Sequence, residues 1–540
     1  MPRALLLLFC AAYVLPGQFG RDPWKSADLS AFGYMLNIAQ GRTSWLAPTV
    51  GGLPADTALL PYWLGAAFIK LLGPWLGTAL AARVPFALLL VSVLMLVWSA
   101  TYHLARTKAA QPLPWAFGGG ADPIDYARAV ADGALLALIA SLGLLQLGHE
   151  TTPELAQLVS VTLFLYALAA CPFRPWHARL AAMVALPTLS VSGAPSVALG
   201  LALVGTLLTW RSSYEAVRRF SLWIAGACVL AALLATLFNA WSWRVGMHGS
   251  MAQWIAMPRQ LLWFTWPAWP LALWTLWRWR AQLQNRHISV PLGCLLVSLL
   301  AWSVLAGSDR ALMLGLPPLA VLAAFALPTL QRSTAAAIDW FSVFFFSTCA
   351  LVIWVIYVAM QTGVPSRPAA NVARLAPGFE PAFSLWTLSV AAIATLAWLW
   401  LVKWRSGRNR HPLWKSLVLP ASGVALCWLL LMTLWLPLLD YARGYRAMVA
   451  RVADLVPLHS CLAAPGTSRA LAAALEYHGG YLVDARLESS RRGACDYLLQ
   501  VESRALPRQA EPGWRLLGRV GRPTDPKEIA AVYRRDVAKP

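Results

Sequence analysis

The sequence is a succession of apolar runs, most of them close to the roughly 20 residues that an α-helix needs to cross the hydrocarbon core of a membrane. Hydrophobic residues make up 59% of the chain and charged residues only 12%. The runs are continuous rather than alternating, which favours helices over barrel strands. We therefore predict a mainly α, polytopic helical membrane protein with about 13 transmembrane helices. They are expected at 4–19, 80–102, 129–147, 155–170, 180–210 (two half-length helices separated at SGAP, 192–195), 222–238, 261–277, 290–305, 312–330, 341–360, 385–402 and 417–436.

Basic residues lie in short clusters between these runs. The chain has 44 Lys and Arg against 23 Asp and Glu, a formal net charge of +21. Because the clusters are dispersed, the positive-inside rule explains them better than a nucleic-acid surface does, and no nucleic acid is expected as a partner. Anionic membrane lipids or a phosphorylated substrate remain as partners. The rule predicts a multi-pass protein of the bacterial inner membrane.

The N-terminus, MPRALLLLFCAAYVLP, is compatible with a cleaved signal peptide or with a first span that is retained. No small-x-small cleavage pattern follows it directly, which favours the retained span. With the N-terminus inside, residues 21–63 form a periplasmic loop, and an odd number of spans places the C-terminus in the periplasm as well.

The composition changes after Pro437, where Trp nearly vanishes and charge rises. The chain is therefore predicted to divide into a membrane domain at 1–437 and a small periplasmic α/β domain at 438–540. The segment GTSRALAAALEYH predicts a helix, while GYLVDA, CDYLLQVE, WRLLGRVG and IAAVYRRD predict strands.

Two of the eight cysteines, Cys461 and Cys495, share this outer domain, where the compartment permits disulfides, and each stands at the start of an expected strand. We predict that they are bonded to each other. The other six lie in or beside apolar runs, as small apolar fillers do. No CxxC or HExxH spacing indicates a metal site, so no cofactor is assigned, although two separated carboxylates are compatible with a divalent cation.

The loop at 21–63 gathers acidic residues in a chain that has few. Asp28 is the first candidate for a catalytic group, with Asp22 beside it and Lys25 as a substrate-binding cation. Asp56 lies in the same loop, and Tyr62 near its end is a further substrate-binding candidate. Residues 26–41 have apolar positions at helical spacing and predict an amphipathic helix along the membrane interface. The alternative for Asp28 is an ordinary solvated loop acid.

Other polar residues are expected at the outer ends of spans. His149 and Glu150 occupy a short outer loop and are candidate catalytic groups; the alternative is a helix-end pair that meets water. Arg83 and Arg310 are candidate phosphate ligands, because guanidinium groups bind phosphate in a bidentate way, although arginines also snorkel at such positions. Arg259, with Arg244 and His248 on a Trp-rich outer loop, is a similar candidate.

Several segments resemble the ArnT-like (aminoarabinose transferase) and protein-mannosyltransferase-like GT-C membrane glycosyltransferases. They are WKSADLSAFGYMLNIAQG, SWLAPTVGG, PYWLGAAFIKLLGP, AARVPFALL and GSDRALMLGLPPLAVLAAFALP, in the same order and spacing as in that family. The resemblance implies a lipid-phosphate-linked sugar donor and a central acidic residue in the first outer loop. Two features depart from the family pattern: Ala27-Asp28 stands where relatives carry Asp-Glu, and residues 57–61 replace the usual Lys-Pro-Pro segment.

These observations predict an integral membrane glycosyltransferase that transfers a sugar from a polyprenyl-phosphate donor to a lipid A-like lipid, another glycolipid or a protein. The sugar head is expected in a cavity between the loop at 21–63 and the loop of His149 and Glu150. The altered first loop supports an alternative, a catalytically degenerate GT-C protein that binds the lipid or a partner. A transporter ranks last, because few charges are expected at mid-membrane depth and no inverted repeat is visible.

Overall fold

The computed structural model describes residues 3–55, 58–112, 122–212, 214–242, 251–305, 308–406, 413–490, 495–502 and 513–536. Asp56, Arg244 and His248, which the sequence singled out, lie outside the described residues.

Twenty-two α-helices dominate the described chain. The first half contains α1 (Arg3–Val14), α2 (Ala27–Ala39), α3 (Leu60–Leu76), α4 (Thr78–Ala105), α5 (Pro123–Ala140), α6 (Leu142–Leu147), α7 (Pro153–Ala170), α8 (Pro175–Val191), α9 (Pro195–Trp210), α10 (Glu215–Leu237) and α11 (Met251–Phe264). The second half contains α12 (Ala268–Arg278), α13 (Arg286–Val304), α14 (Asp309–Met313), α15 (Leu316–Ala324), α16 (Arg332–Thr362), α17 (Ser366–Leu375), α18 (Leu385–Ser406), α19 (Val418–Leu434), α20 (Leu436–Arg443), α21 (Arg446–Ala453) and α22 (Arg469–Gly479).

The described chain also contains seven strands: β1 (Thr49–Val50), β2 (Leu53–Pro54), β3 (Cys461–Ala463), β4 (Leu482–Asp484), β5 (Tyr497–Glu502), β6 (Trp514–Arg522) and β7 (Asp525–Arg535). The strands β1 and β2 form an antiparallel hairpin. The other five form one sheet in the order β4-β3-β5-β7-β6, in which β3 is parallel to β4 and β5 and the remaining pairs are antiparallel.

The residues group into two compact units. Unit 1 comprises Met1–Gly17, Phe86–Leu351 and Ser389–Leu430, and unit 2 comprises Gln18–Pro85, Val352–Leu388 and Leu431–Pro540. Unit 2 thus contains the loop at 21–63 together with the C-terminal sheet region. The predicted domain boundary at residue 437 stays a prediction.

Eight stretches of the described chain are long and apolar enough to cross a membrane. The predicted total of about 13 spans therefore stays a prediction. The break expected at 192–195 is confirmed: α8 ends at Val191, α9 begins at Pro195, and Gly193 between them has φ +91°, a backbone conformation that L side chains rarely adopt. The single helix expected at 261–277 is wrong, because the chain breaks between α11 and α12, where Pro267 lacks the N–H that a continuous helix requires.

The loop at 21–63 packs on the C-terminal region within unit 2. An added Cβ at Gly33 of α2 would lie 2.6 Å from the Ala473 Cβ of α22, so only glycine allows this close approach. The Phe32 ring lies 4.9 Å from that of Tyr477, and Ala485 N–H donates to the Gly51 carbonyl at 2.8 Å. The helix expected at 26–41 is confirmed as α2, and nearly every residue of it is buried. Its position along the membrane interface stays a prediction.

The four strands expected in the C-terminal region are present as β4, β5, β6 and β7, and the expected helix is α22. The Ser468 hydroxyl caps that helix by accepting from Leu471 N–H. The strand expected to start at Cys461 is confirmed as β3, which has three residues.

A disulfide joins Cys461, in β3, to Cys495, which precedes β5; their Cα atoms are 5.0 Å apart. We predict that peptide mapping without reductant finds this pair linked. The bond closes a loop with a sequence separation of 34 residues. The double variant Cys461→Ser/Cys495→Ser should therefore lose about 3 kcal/mol of stability, measured as a lower Tm. Cys228→Ser, at an unbonded cysteine, is the control, and two free thiols in the purified protein would contradict the assignment.

Candidate active site

The Asp28 carboxylate lies at the start of α2 and is buried, with 1% of the residue exposed. Its Oδ2 accepts from Arg21 Nη2 at 3.3 Å and from the Trp24 backbone N–H at 3.1 Å. The Arg21 side chain is itself fully buried. Asp28 is therefore one half of a buried ion pair rather than a solvated loop acid.

Trp24 connects this pair to the C-terminal segment of unit 2. The guanidinium carbons of Arg21 and Arg443 lie 4.7 and 5.1 Å from its ring centroid, within the range of cation–π attraction. Its indole N–H donates to the Asp440 carboxylate at 2.6 Å. Asp440, in α20, thus joins the first loop to a segment more than 400 residues later.

Asp22 lies between Asp440 and a further arginine. Its backbone N–H donates to Asp440 Oδ2 at 3.3 Å, and its carboxylate accepts from Arg446 Nε and Nη2 at 2.7 and 2.6 Å. This bidentate pair holds Asp22 firmly. Burial raises the pKa of Asp440 to about 6, with a smaller increase from the charge of Asp22, while the indole hydrogen bond of Trp24 acts in the opposite direction.

Arg83, in the first turns of α4, is 3% exposed. Its Nη1 donates to the Gln18 carbonyl at 3.4 Å, and its buried Nη2 has no hydrogen-bond partner among the described residues. Its electrostatic neighbours include Arg21, Asp28 and Asp440. A buried donor without a partner is rare in native proteins and calls for an explanation.

These residues form what we call the Arg–Asp cluster. It contains four arginines and three aspartates, so its formal charge is 4 − 3 = +1: Arg21, Arg83, Arg443 and Arg446 against Asp22, Asp28 and Asp440. Arg446 is exposed, whereas Arg21 and Arg83 are buried. Buried guanidinium groups suit an anionic ligand.

The other two candidates of the first loop have neighbours inside unit 2. Lys25 Nζ lies 2.7 Å from Glu528 and 3.8 Å from Asp525, both on β7. Tyr62 is buried, and its ring lies 5.0 Å from that of Tyr34. Their proposed contacts with substrate stay predictions.

A second polar group lies in unit 1, at the start of α7. Arg310 Nη2 pairs with Glu150 at 2.5 Å, while its Nη1 donates to the Thr152 hydroxyl at 3.0 Å and lies 3.6 Å from Glu154. The structure therefore brings together two sequence candidates, Glu150 and Arg310, and adds Glu154. Arg310 and Glu154 also line a small cavity of about 20 Å³.

His149 is buried beside this group, and both ring nitrogens face backbone carbonyls. Nδ1 lies 2.7 Å from the Leu145 oxygen and Nε2 lies 2.9 Å from the Tyr13 oxygen. The ring also lies 4.6 Å from the Trp428 ring. These contacts position the imidazole, and a role in proton transfer would require it to release one carbonyl.

Arg259 is exposed on α11. The described residues contain no group of three or more His, Cys, Asp or Glu side chains placed to hold a metal ion. A divalent cation therefore stays a prediction.

Sequence reasoning did not single out Arg21, Asp440 or Glu154. The scarcity of acids, which pointed to Asp28, also marks Asp440 as the one carboxylate in LPLLDYAR directly after the last apolar run. Chemically, the Arg–Asp cluster can hold an anion at its arginines while a carboxylate orients a neighbouring hydroxyl or accepts its proton.

The raised pKa of Asp440 predicts a pH-dependent stability. The folded state takes up the proton more readily than the unfolded chain, so the stability associated with protonated Asp440 is lost as the pH rises from about 4 to about 6. Asp440→Asn removes this dependence. Between pH 5 and pH 8 the variant should therefore gain on the order of 1 kcal/mol of stability relative to wild type. The measurement is the difference between the two Tm values, which should rise over this range. Parallel Tm curves over this range would contradict the assignment.

Comparison with known proteins places this geometry in a known fold. No family model matches the chain, and no curated protein matches it. The structure is similar to that of ArnT from Cupriavidus metallidurans bound to undecaprenyl phosphate, with a TM-score of 0.66 and 14% identity over 100% of this chain and 99% of the other. It is similar to the apo state of that protein with a TM-score of 0.63 and 15% identity over 98% of each chain.

The archaeal oligosaccharyltransferase AglB from Archaeoglobus fulgidus, in complex with an inhibitory peptide and a dolichol-phosphate, gives a TM-score of 0.48 and 11% identity, over 92% of this chain and 69% of the other. The ArnT comparisons extend over nearly the whole of both chains. The chain therefore has the ArnT-like GT-C fold that its sequence motifs predicted.

Proposed function

We propose that this protein is an integral membrane glycosyltransferase that takes a sugar from a polyprenyl-phosphate donor. The acceptor is a lipid A-like lipid or another envelope molecule on the periplasmic side of the bacterial inner membrane. The observation that carries the proposal is the Arg–Asp cluster, in which Arg21, Arg83 and Asp28 are buried, on a chain with the ArnT fold. A structure of ArnT holds undecaprenyl phosphate, and we propose a lipid of the same class as donor here.

The arginines of the cluster suit the leaving group of such a transfer. As the glycosidic bond breaks, negative charge develops on the lipid phosphate, and fixed cations in a water-poor site stabilise it strongly. Arg83 carries a buried donor without a partner in the described chain, and Arg21 lies in the same cluster. We assign the phosphate first to Arg83.

Asp28 supplies the carboxylate. In our proposal it orients the acceptor hydroxyl or takes its proton, a role worth about 10²–10⁴ in rate. If the acceptor is itself a phosphate, little base catalysis is needed, and Asp28 then serves to position Arg21. Asp22 and Asp440 hold Arg446 and Trp24 in place around it.

The remaining candidates keep the roles that the sequence predicts. Glu150 and His149 are proposed as catalytic groups, and Arg310, Arg259, Lys25 and Tyr62 as substrate-binding groups. The structure supplies two specific restraints: Arg310 already pairs with Glu150, and Lys25 already pairs with Glu528. Either cation would have to exchange a carboxylate for phosphate.

A degenerate, binding-only protein is the second candidate function. It is favoured by the single carboxylate at Ala27-Asp28 and by the pairing of Lys25 with β7 carboxylates. Such a protein would bind the polyprenyl phosphate without transferring a sugar.

Transfer assays on the purified, lipid-reconstituted protein separate the two functions. Radiolabelled sugars on undecaprenyl phosphate are offered with envelope glycolipid extract, and both labelled product and released undecaprenyl phosphate are measured. We expect labelled glycolipid from the wild type, and loss of one glycolipid species in mass spectra of a deletion strain. Saturable binding of undecaprenyl phosphate without transfer from any donor would instead establish the binding-only function.

A further inference from the structure

Unit 1 contains an open cavity of about 1,120 Å³ that belongs to neither polar group described above. Four cationic side chains line it: Arg106, Lys108, Arg211 and Arg286. No carboxylate of the described residues lines it. Four positive charges without acidic residues in the described lining give the cavity a positive electrostatic potential, which favours anionic ligands.

Two of these cations, Arg286 and Arg106, contact neighbouring groups of unit 1. Arg286 Nη2 donates to the Leu168 carbonyl at 2.6 Å and to Cys171 Sγ at 3.4 Å. Its buried Nε has no hydrogen-bond partner among the described residues. The Arg106 guanidinium lies 4.9 Å from the Phe173 ring centroid. These contacts hold both side chains in place without using a carboxylate, so their charge remains available to a ligand.

The cavity lies where membrane-length helices end. Arg106 and Lys108 follow α4, and Arg286 begins α13, both of which are long and apolar enough to cross a membrane. Arg211 follows α9. Apolar residues, among them Leu208 and Val290, form another part of the lining. Basic sites beside apolar helix surface at headgroup depth are where anionic lipids bind.

We propose that this cavity binds the phosphate headgroup of an anionic phospholipid. Arg286 and Arg106 bind the phosphodiester, Lys108 and Arg211 close around it, and the acyl chains follow the apolar lining. The volume exceeds what a bare phosphate requires and admits a glycerol headgroup. The site is independent of the sugar transfer proposed above, since it shares no residue with it.

The test uses dioctanoyl phosphatidylglycerol as the probe and native mass spectrometry of the full-length protein as the readout. Lys108→Gln/Arg211→Gln removes two exposed cations of the cavity and leaves the contacts of Arg286 and Arg106 intact. Its matched control is Arg218→Gln/Arg280→Gln, which removes two exposed cations that do not line the cavity. We expect the cavity variant to bind the probe about 10- to 30-fold more weakly, and the control to bind like wild type.

Two further ligands distinguish the source of the phosphate. Dioctanoyl phosphatidylcholine, which is zwitterionic, should bind the wild type roughly 10-fold more weakly than phosphatidylglycerol, or weaker still, because it carries no net negative charge for the cations to attract. Glycerol 1-phosphate should compete only weakly, because it lacks acyl chains. If the cavity variant binds phosphatidylglycerol as tightly as wild type, or if the control loses as much affinity as the cavity variant, the proposed site is wrong. If phosphatidylcholine binds as tightly as phosphatidylglycerol, the ligand is not selected for its negative charge. If glycerol 1-phosphate competes strongly, the ligand is a free phosphate compound and not a lipid.

Discussion

Asp28→Asn is expected to lower sugar transfer from a polyprenyl-phosphate donor by about 10²–10⁴, because it removes the carboxylate proposed to orient or deprotonate the acceptor. The structure adds a second expected effect. Asp28 pairs with a fully buried Arg21, and removal of one partner of a buried ion pair costs about 3–5 kcal/mol. The variant should therefore also have a lower Tm, and transfer must be normalised to folded protein.

The double variant Arg21→Gln/Asp28→Asn separates chemistry from stability. It removes both charges, so no buried charge is left uncompensated, and the Tm should recover most of the loss. If Asp28 acts on the acceptor, transfer stays lost although the fold is restored. Transfer that returns together with the Tm would show that Asp28 serves only as the counter-ion of Arg21. Full transfer by the single variant would remove Asp28 from the mechanism.

The apolar runs predicted the long helices well, because each run of about 20 residues carries its own signal for a helix. The division of the run at 180–210 was also predictable from the SGAP segment. The burial of α2 was not predictable. Its spacing of apolar residues fits a surface helix, and α22, on which it packs, lies more than 400 residues later in the chain.

The candidate site shows the same division between local and long-range information. The scarcity of acids in the chain identified Asp28 and Asp22 from composition alone. Their partners could not be read from spacing, because Asp22 pairs with Arg446, 424 positions away, and Trp24 donates to Asp440, 416 positions away. Lys25 was chosen as a phosphate ligand on the same local grounds, and the fold gives it Glu528 as a partner.

The burial of Arg83 has a thermodynamic consequence. A buried charge with an unsatisfied donor lowers the stability of the folded protein in the absence of ligand, since the burial of a charge is costly unless it is fully paired. Sites that keep such a cost commonly serve binding or catalysis. A variant that removes this charge should therefore change stability and ligand affinity in opposite directions.

Arg83→Gln tests this directly. Arg83 is buried, and its Nη2 has no hydrogen-bond partner in the described chain. Glutamine keeps a donor near the Gln18 carbonyl but removes the charge. Because a charge-assisted hydrogen bond contributes about 1.5–3 kcal/mol, the Kd for undecaprenyl phosphate should rise by roughly 10- to 100-fold. The Tm without lipid should stay equal to that of wild type or exceed it.

Two companion variants make the result specific. Arg83→Lys keeps the charge but loses the planar fork of donors, so its Kd should lie between those of wild type and Arg83→Gln. Arg367→Gln, at an exposed arginine of α17 in the same unit, should leave both Kd and Tm unchanged. An unchanged Kd in Arg83→Gln would exclude Arg83 as the phosphate ligand. A fall in both affinity and Tm would show instead that Arg83 supports the fold. A cation that serves only to bind the ligand does not stabilise the folded protein, so its removal would not lower the Tm.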